Sequence, residues 1–259
     1  MFPIYVCCDS SLNEVEEAAI KRGLREEIIP TFRTKVHYYG HNRWQSGKYK
    51  SADLIIDTSF KSQVTGQVDA FSVIEKLRVT AETVVEPGAF VLFTAKDLYA
   101  RPTRTKVGSS KDIRDTGLNW CMGLSINAYH ATVQSVYRYR HLSDDKESFC
   151  IRRTLRHEIG HLFGCAMQPG RSNTIDLLGN HCTNRGCSMC QTISVSELVE
   201  KMYQEDDCNF LCPQCREDMN RFISGFESDE KRIETLKDAY REVTGGRRIV
   251  TPVTVTARW

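Results

Sequence analysis

Residues 156 to 164 read RHEIGHLFG, and they decide what the rest of the chain has to build. His157 and His161 stand one helical turn apart, so on an α-helix both imidazoles leave the same face. That is the geometry in which two histidines hold one zinc ion. Glu158 lies about 100° further round the helix. It cannot act there as an equal ligand, but it can hold a water bound to the metal. Gly164 then ends the helix, as a glycine able to adopt positive φ does, and turns the chain towards a further ligand. A bare H-E-x-x-H also arises by chance, and its plain alternative is two surface histidines on an amphipathic helix. The remaining sequence weighs between them.

Sulfur is the second signal. The chain has 11 cysteines, and seven of them (Cys165, Cys182, Cys187, Cys190, Cys208, Cys212 and Cys215) fall close together. An odd count argues against a disulfide framework, and clustering in C-x-x-C pairs argues for metal. Two C-x-x-C knuckles make a closed four-thiolate site with no open position, which marks that zinc as structural. Spacing alone favours Cys187, Cys190, Cys212 and Cys215, as in a zinc ribbon. A second grouping replaces Cys190 by Cys182, and several buried free thiols would be the metal-free alternative.

The composition sets the frame. A chain of 259 residues, 41% hydrophobic and 26% charged, can bury a sizeable core as one large domain or as two subdomains sharing a cleft. A net charge of +2 gives no argument for nucleic acid or for an anionic membrane. The amino terminus, MFPIYVCCDSS, has no basic n-region and too short an apolar run for a signal peptide, and AFVLFTA at 89 to 95 is strand-sized rather than membrane-spanning. The expected location is cytoplasmic.

In chain order, FPIYVCC reads as a buried strand. Ser11 and Glu14 form a capping-box pattern before an amphipathic helix running to Pro30. KVHYYG at 35 to 40 reads as a second strand, and DLIID as either strand or short helix. Val68, Phe71, Ile74 and Leu77 keep helical spacing up to Pro87-Gly88, and AFVLFTA is a third strand. This alternation predicts an α+β fold, a mixed sheet with helices packed on it. Residues 100 to 117 read as a solvated polar loop with five basic residues, and the β-branched stretch GLSINAYHATVQSVYRYRH as two strands or a hairpin. A strand edge within 123 to 139 is the candidate for aligning an extended peptide. Ser143 to Ser148 reads as a turn. After Cys215 two apolar stripes read as helix packing, and IVTPVTVTARW reads as an edge strand or a tail.

Gly164 after HEIGHLF resembles the zinc-binding consensus of the metzincin peptidases. The continuation His181-Cys182, four residues, Cys187, one residue, Met189, then Cys212-x-x-Cys215, resembles the longer archaemetzincin signature. TAKDLYA at 94 to 100 and GLNWCMGLS at 117 to 125 are weakly similar to the same family, so the resemblance spans about residues 89 to 216. It implies a metzincin-like fold, with an active-site helix above a cleft and a smaller subdomain below, here residues 1–164 and 165–259. It also implies a zinc metallopeptidase, of endo- or aminopeptidase type, acting on a peptide or protein substrate with two zinc ions. Carried over, it gives Cys182, Cys187, Cys212 and Cys215 to the second zinc and makes Met189 the methionine turn beneath the first.

The sequence departs from that pattern at one ligand. Three residues after Gly164, where the family has histidine, stands Met167; His181 follows 14 residues later. A thioether is a weak donor to zinc, so the reading is an insertion, about CAMQPGRSNTIDLL, ahead of His181 as third ligand. Cys165 and Asp176 are the competing candidates. Ligands without charge leave zinc able to lower the pKa of a bound water to about 7, and Glu158 is then the general base. The reading from another class is a zinc-stabilised binding protein, or a non-peptide amide hydrolase, on the same scaffold.

Overall fold

The computed structural model describes residues 2–42, 49, 51–81, 88–100, 120–168, 170–176, 180–205 and 209–244. Met1–Ile223 form one compact unit and Ser224–Trp259 a second. Strands β1 (Ile4–Cys8) and β2 (Val36–Gly40) flank helix α1 (Glu14–Gly23), a π-helical turn (Leu24–Ile28) and the short α2 (Ile29–Phe32). Helix α3 (Ala52–Thr58), a two-residue β3 (Val68–Asp69) and α4 (Ala70–Ala81) lead to β4 (Ala89–Thr94) and β5 (Leu98–Tyr99). Then come the hairpin of β6 (Gly123–Ile126) and β7 (Ala131–Ser135) and the long helix α5 (Asp144–Leu162). Strands β8 (Thr174–Asp176) and β9 (Asn180–Cys182), helix α6 (Val195–Glu200) and helix α7 (Pro213–Thr244) follow. Of the second unit the described residues are the continuation of α7.

The main sheet has the order β2-β1-β4-β7-β6, parallel except for β6, which runs antiparallel to β7 at the edge. Every residue of β1, β4 and β7 is buried, as strands covered on both faces must be. Alternate residues serve opposite layers. Tyr5, Cys7, Phe90, Leu92, Ala131 and Val133 pack with Ile55, Ile56, Ile74 and Leu77 of α3 and α4, while α1 and α5 pack together and α5 also contacts β6 and β7. This is the mixed sheet with helices expected from the alternation of elements. Among the described residues no helix is long and apolar enough to cross a membrane.

Several local readings change. The capping box is formed by Asn13 and Glu16, each side chain bonding the other's backbone N–H, because Ser11 is engaged by Asp9. The helical path does not stop at Pro30: Pro30 sits in the first turn of α2, where its missing N–H is harmless, and the path ends at Arg33 with φ 49°. DLIID is helical, capped by the Ser51 side chain. Val68 lies in β3, so α4 begins at Ala70. Residues 144 to 148 are the first turn of α5, with Ser143 as its N-cap. The polar loop from Arg101 onward and the IVTPVTVTARW tail lie outside the described residues.

Helix α5 carries three buried arginines, and among the described residues two carboxylates pair with them. Glu27, on the π-helical turn, accepts from Arg152 and from Arg156 Nε at 2.6 Å and Nη2 at 3.1 Å. Glu205 accepts from Arg153 Nε at 2.9 Å and Arg156 Nη1 at 3.5 Å. Removing one partner of a buried pair strands the other charge in a low-dielectric interior. Glu27→Ala should therefore cost about 3–5 kcal/mol in urea unfolding. A loss of less than about 1 kcal/mol, the range of an exposed pair, would show that Glu27 does not anchor α5.

Candidate metal centres

His157 and His161 project from the C-terminal half of α5, and His181 comes from β9. His161 Nε2 lies 3.2 Å from His157 Nε2 and 3.3 Å from His181 Nε2. Three ring nitrogens aimed at one point make a poor mutual contact, since at most one can be a donor in each pair. They make a good ligand set: tetrahedral zinc with Zn–N distances of about 2.0–2.1 Å separates two nitrogens by about 3.3 Å. His157 Nδ1–H donates to the Ser188 carbonyl at 2.7 Å, which leaves the Nε2 lone pair facing the other rings. Burial, followed by the charges of His161, Arg153 and His181, lowers the His157 pKa well below its ordinary value. Burial and His181 bring His161 down to about 3. Both rings are thereby held neutral, the state in which histidine ligates.

The described residues between 165 and 180 carry structure of their own. They include β8, which pairs antiparallel with β9 in the register Thr174↔Cys182, Ile175↔His181, Asp176↔Asn180. Successive strand residues face opposite ways, so His181 turns to the histidines while Cys182 turns to the cysteines. Gly164, at φ 73°, makes the turn that leads there. Met167 is 41% exposed and contacts the Asn127 amide. The Cys165 thiol is buried and donates to the Cys215 carbonyl. Asp176 pairs with Asn180 in the hairpin.

Met189 is buried and packs against α5 at Gly160. A Cβ on Gly160 would collide with its sulfur, so only glycine at that position lets the turn rise against the helix. Glu158 lies on another side of α5 and is buried. Ser125 Oγ, on β6, donates to Glu158 Oε2 at 2.5 Å and also lies 3.2 Å from the Glu158 carbonyl. A Cβ on Gly123 would meet Glu158 Oε1 at 2.5 Å. Burial raises the Glu158 pKa to about 7 against the opposing pull of the Ser125 bond and the Arg153 charge. The edge strand thus runs directly beside this carboxylate.

Cys182, Cys187, Cys212 and Cys215 form the second cluster, all buried. Cys182 Sγ and Cys212 Sγ are 3.7 Å apart; Zn–S distances of about 2.3 Å in a tetrahedron require about 3.8 Å. The Asn184 and Cys212 N–H groups each point at a sulfur, that of Cys182 and Cys187 respectively, at 3.4 Å. Hydrogen bonds among the thiols lower Cys182 and bring Cys212 down to about 6, while raising Cys187 and Cys215. Four thiolates this close need a cation to hold them all ionised. Cys190 lies outside the group: its sulfur is 3.9 Å from Lys201 Nζ.

Some contributors left little trace in the sequence. Ser188 acts through its carbonyl, and any residue type supplies one. Ser125 and Gly123 act only because β6 passes Glu158. Gly160 did leave a signal, since a glycine inside a helix costs about 1 kcal/mol relative to alanine and invites a packing reason.

The fold has counterparts among solved structures. The archaemetzincin of Methanopyrus kandleri is 19% identical, with a TM-score of 0.58 over 86% of this chain and 96% of that one. A zinc-dependent peptidase from Methanocorpusculum labreanum is 17% identical, with a TM-score of 0.54 over 83% and 99%. The archaemetzincin of Archaeoglobus fulgidus, complexed with malonate, is 17% identical, with a TM-score of 0.50 over 84% and 99%. The chain has an archaemetzincin-like fold. No protein-family model and no curated protein matches the sequence.

The two cysteine groupings make opposite predictions. Cys182→Ser should lose one zinc per chain and lower the melting temperature, while Cys190→Ser keeps both ions. Elemental analysis of the two purified variants decides, and the reverse pattern would establish the zinc-ribbon set.

Proposed function

We propose that this chain is a zinc-dependent peptidase, and the observation that carries the reading is three imidazole nitrogens converging on one point, with a buried carboxylate at the next position of α5. His157, His161 and His181 would hold the catalytic zinc, with Met189 beneath them, and Cys182, Cys187, Cys212 and Cys215 a structural one. Bound by neutral ligands, zinc supplies a Lewis acid that acidifies water and polarises a carbonyl. Glu158 is the general base that takes the proton from the attacking water and, once protonated, passes it to the leaving amine. Ser125 holds one carboxylate oxygen in place, and Gly123 leaves room for the other.

The substrate reading follows from the sheet. Strand β6 has β7 on one side and, among the described residues, no further strand on the other. An extended peptide adding to that edge by main-chain hydrogen bonds would pass Glu158. The division at Gly164 belongs to the same proposal, with residues 1–164 above the cleft and the chain from Cys165 below it. A binding protein has no use for a buried carboxylate next to a histidine of the cluster on the same helix, which weighs for an enzyme.

Glu158→Gln should keep the fold and both zincs while losing at least ~10²-fold in peptide turnover. Unchanged turnover in the zinc-loaded variant would overturn the mechanism, and a zinc-loaded wild type inert on a broad peptide library would favour the binding reading. The ligand assignment is checked separately by chelator competition. His181→Ala should weaken retention of the catalytic zinc sharply, whereas Met167→Leu should leave it nearly unchanged; equal retention in all three proteins would remove His181 from the site.

A further inference from the structure

The segment between Gly164 and His181 is fastened to the four-cysteine cluster by polar contacts that its own fold does not need. Ala166, held at φ 62° where an alanine is disfavoured, donates its N–H to Asp218 Oδ2 at 3.0 Å. Arg171 pairs with the same Asp218 oxygen. Its Nη1 and Nη2 lie 3.5 and 3.4 Å from Cys215 Sγ, and Nη2 is 3.9 Å from Cys182 Sγ. Arg171 Nε and Nη2 also donate to Asn173 Oδ1 at 3.0 and 2.8 Å. Asn173 Nδ2 in turn points at Cys182 Sγ from 3.6 Å, and its carbonyl accepts the Thr183 N–H at 2.9 Å.

Both the Arg171 and the Asp218 side chains are nearly buried, at 6% and 5% exposure. A buried guanidinium requires acceptors for its five donors, and here two of the acceptors are cluster sulfurs. Four thiolates around one divalent cation carry two net negative charges, so a cation beside them is favourable. The hairpin that presents His181 begins at Thr174, the residue after Asn173. His181 and Cys182 are adjacent and face opposite ways, so any slide or rotation of β9 that suits one cluster spoils the other.

We infer that Arg171, braced by Asp218 and Asn173, is a positioning residue that makes the four-cysteine site the anchor for His181, so that the two metal sites are coupled. The inference rests on the two-zinc reading of the proposed function. The coupling is reciprocal, because each site stabilises the one position of β9 that the other requires.

Cobalt(II) substitution separates the sites, since a four-thiolate site gives intense sulfur-to-cobalt charge-transfer absorption and a three-histidine site does not. Titration against a competing chelator then reads each affinity. Arg171→Met should keep the thiolate bands while histidine-site affinity for cobalt falls about 10-fold or more, the usual scale for a residue supporting a ligand. Arg171→Lys, which keeps the charge but loses the planar fork, should recover part of the loss. Asn173 is only half-buried, so Asn173→Ala decides if Arg171→Met does not fold, with a smaller loss expected. Unchanged histidine-site affinity in a folded Arg171→Met or Asn173→Ala variant overturns the coupling. A wild-type chain with no thiolate bands overturns instead the two-site reading beneath it.

Discussion

Three arginines within five residues of α5 have to be buried with the helix that carries His157 and Glu158, and the structure depends on how their charge is met. Among the described residues Glu27 and Glu205 pair with them, one from the π-helical turn before α2 and the other from beyond α6. Buried charges of this kind contribute little net stability against an apolar alternative, but they tolerate very few arrangements. Their value here is registry. Arg153 also donates Nη2 to the Cys190 carbonyl at 2.7 Å and Nη1 to Thr192 Oγ1 at 3.3 Å, and Ser188 Oγ donates to Glu205 at 2.7 Å. The same charges that seat the helix therefore seat the turn beneath it.

That turn serves both clusters. Cys187 faces the four-cysteine group, the Ser188 carbonyl fixes the His157 tautomer, and Met189 closes under Gly160. The Met189 carbonyl meanwhile accepts the Cys182 N–H at 2.9 Å, tying the turn to the strand that holds His181. A displacement of residues 187 to 189 would change a sulfur position, an imidazole orientation and the packing against Gly160 together. Close packing transmits such shifts because the interior has no slack to absorb them.

Much of this was legible in the sequence, and the reason differs element by element. Strands β1 and β4 declared themselves because a strand buried on both faces is a continuous apolar run. The helix around His157 was read from ligand spacing, which is local. Local spacing does not single out the capping box, because Ser11 and Asn13 are both capable caps, and the tertiary position of Asp9 settles which is free to act. Pro30 reads as a stop, yet a proline ends a helix only where its ring would break a bond, and a new first turn has no bond to break. Ser125 beside Glu158 and Glu205 beside Arg153 are long-range pairings that no local spacing encodes.

His181 stands far along the sequence from Gly164, and something has to define where the chain brings it. Closing a longer loop costs only slightly more entropy than closing a short one, so length alone does not forbid His181 from reaching the place of a nearer ligand. Length does remove the guidance that a short connection gives, and something else has to define the position. Here the residues between Gly164 and His181 supply that definition themselves, by pairing β8 with β9 and by sending Arg171 back to the cluster that Cys182 belongs to. The two-residue period of β9 then does the rest. Once Cys182 is committed to the sulfurs, its neighbour has one direction left, towards His157 and His161.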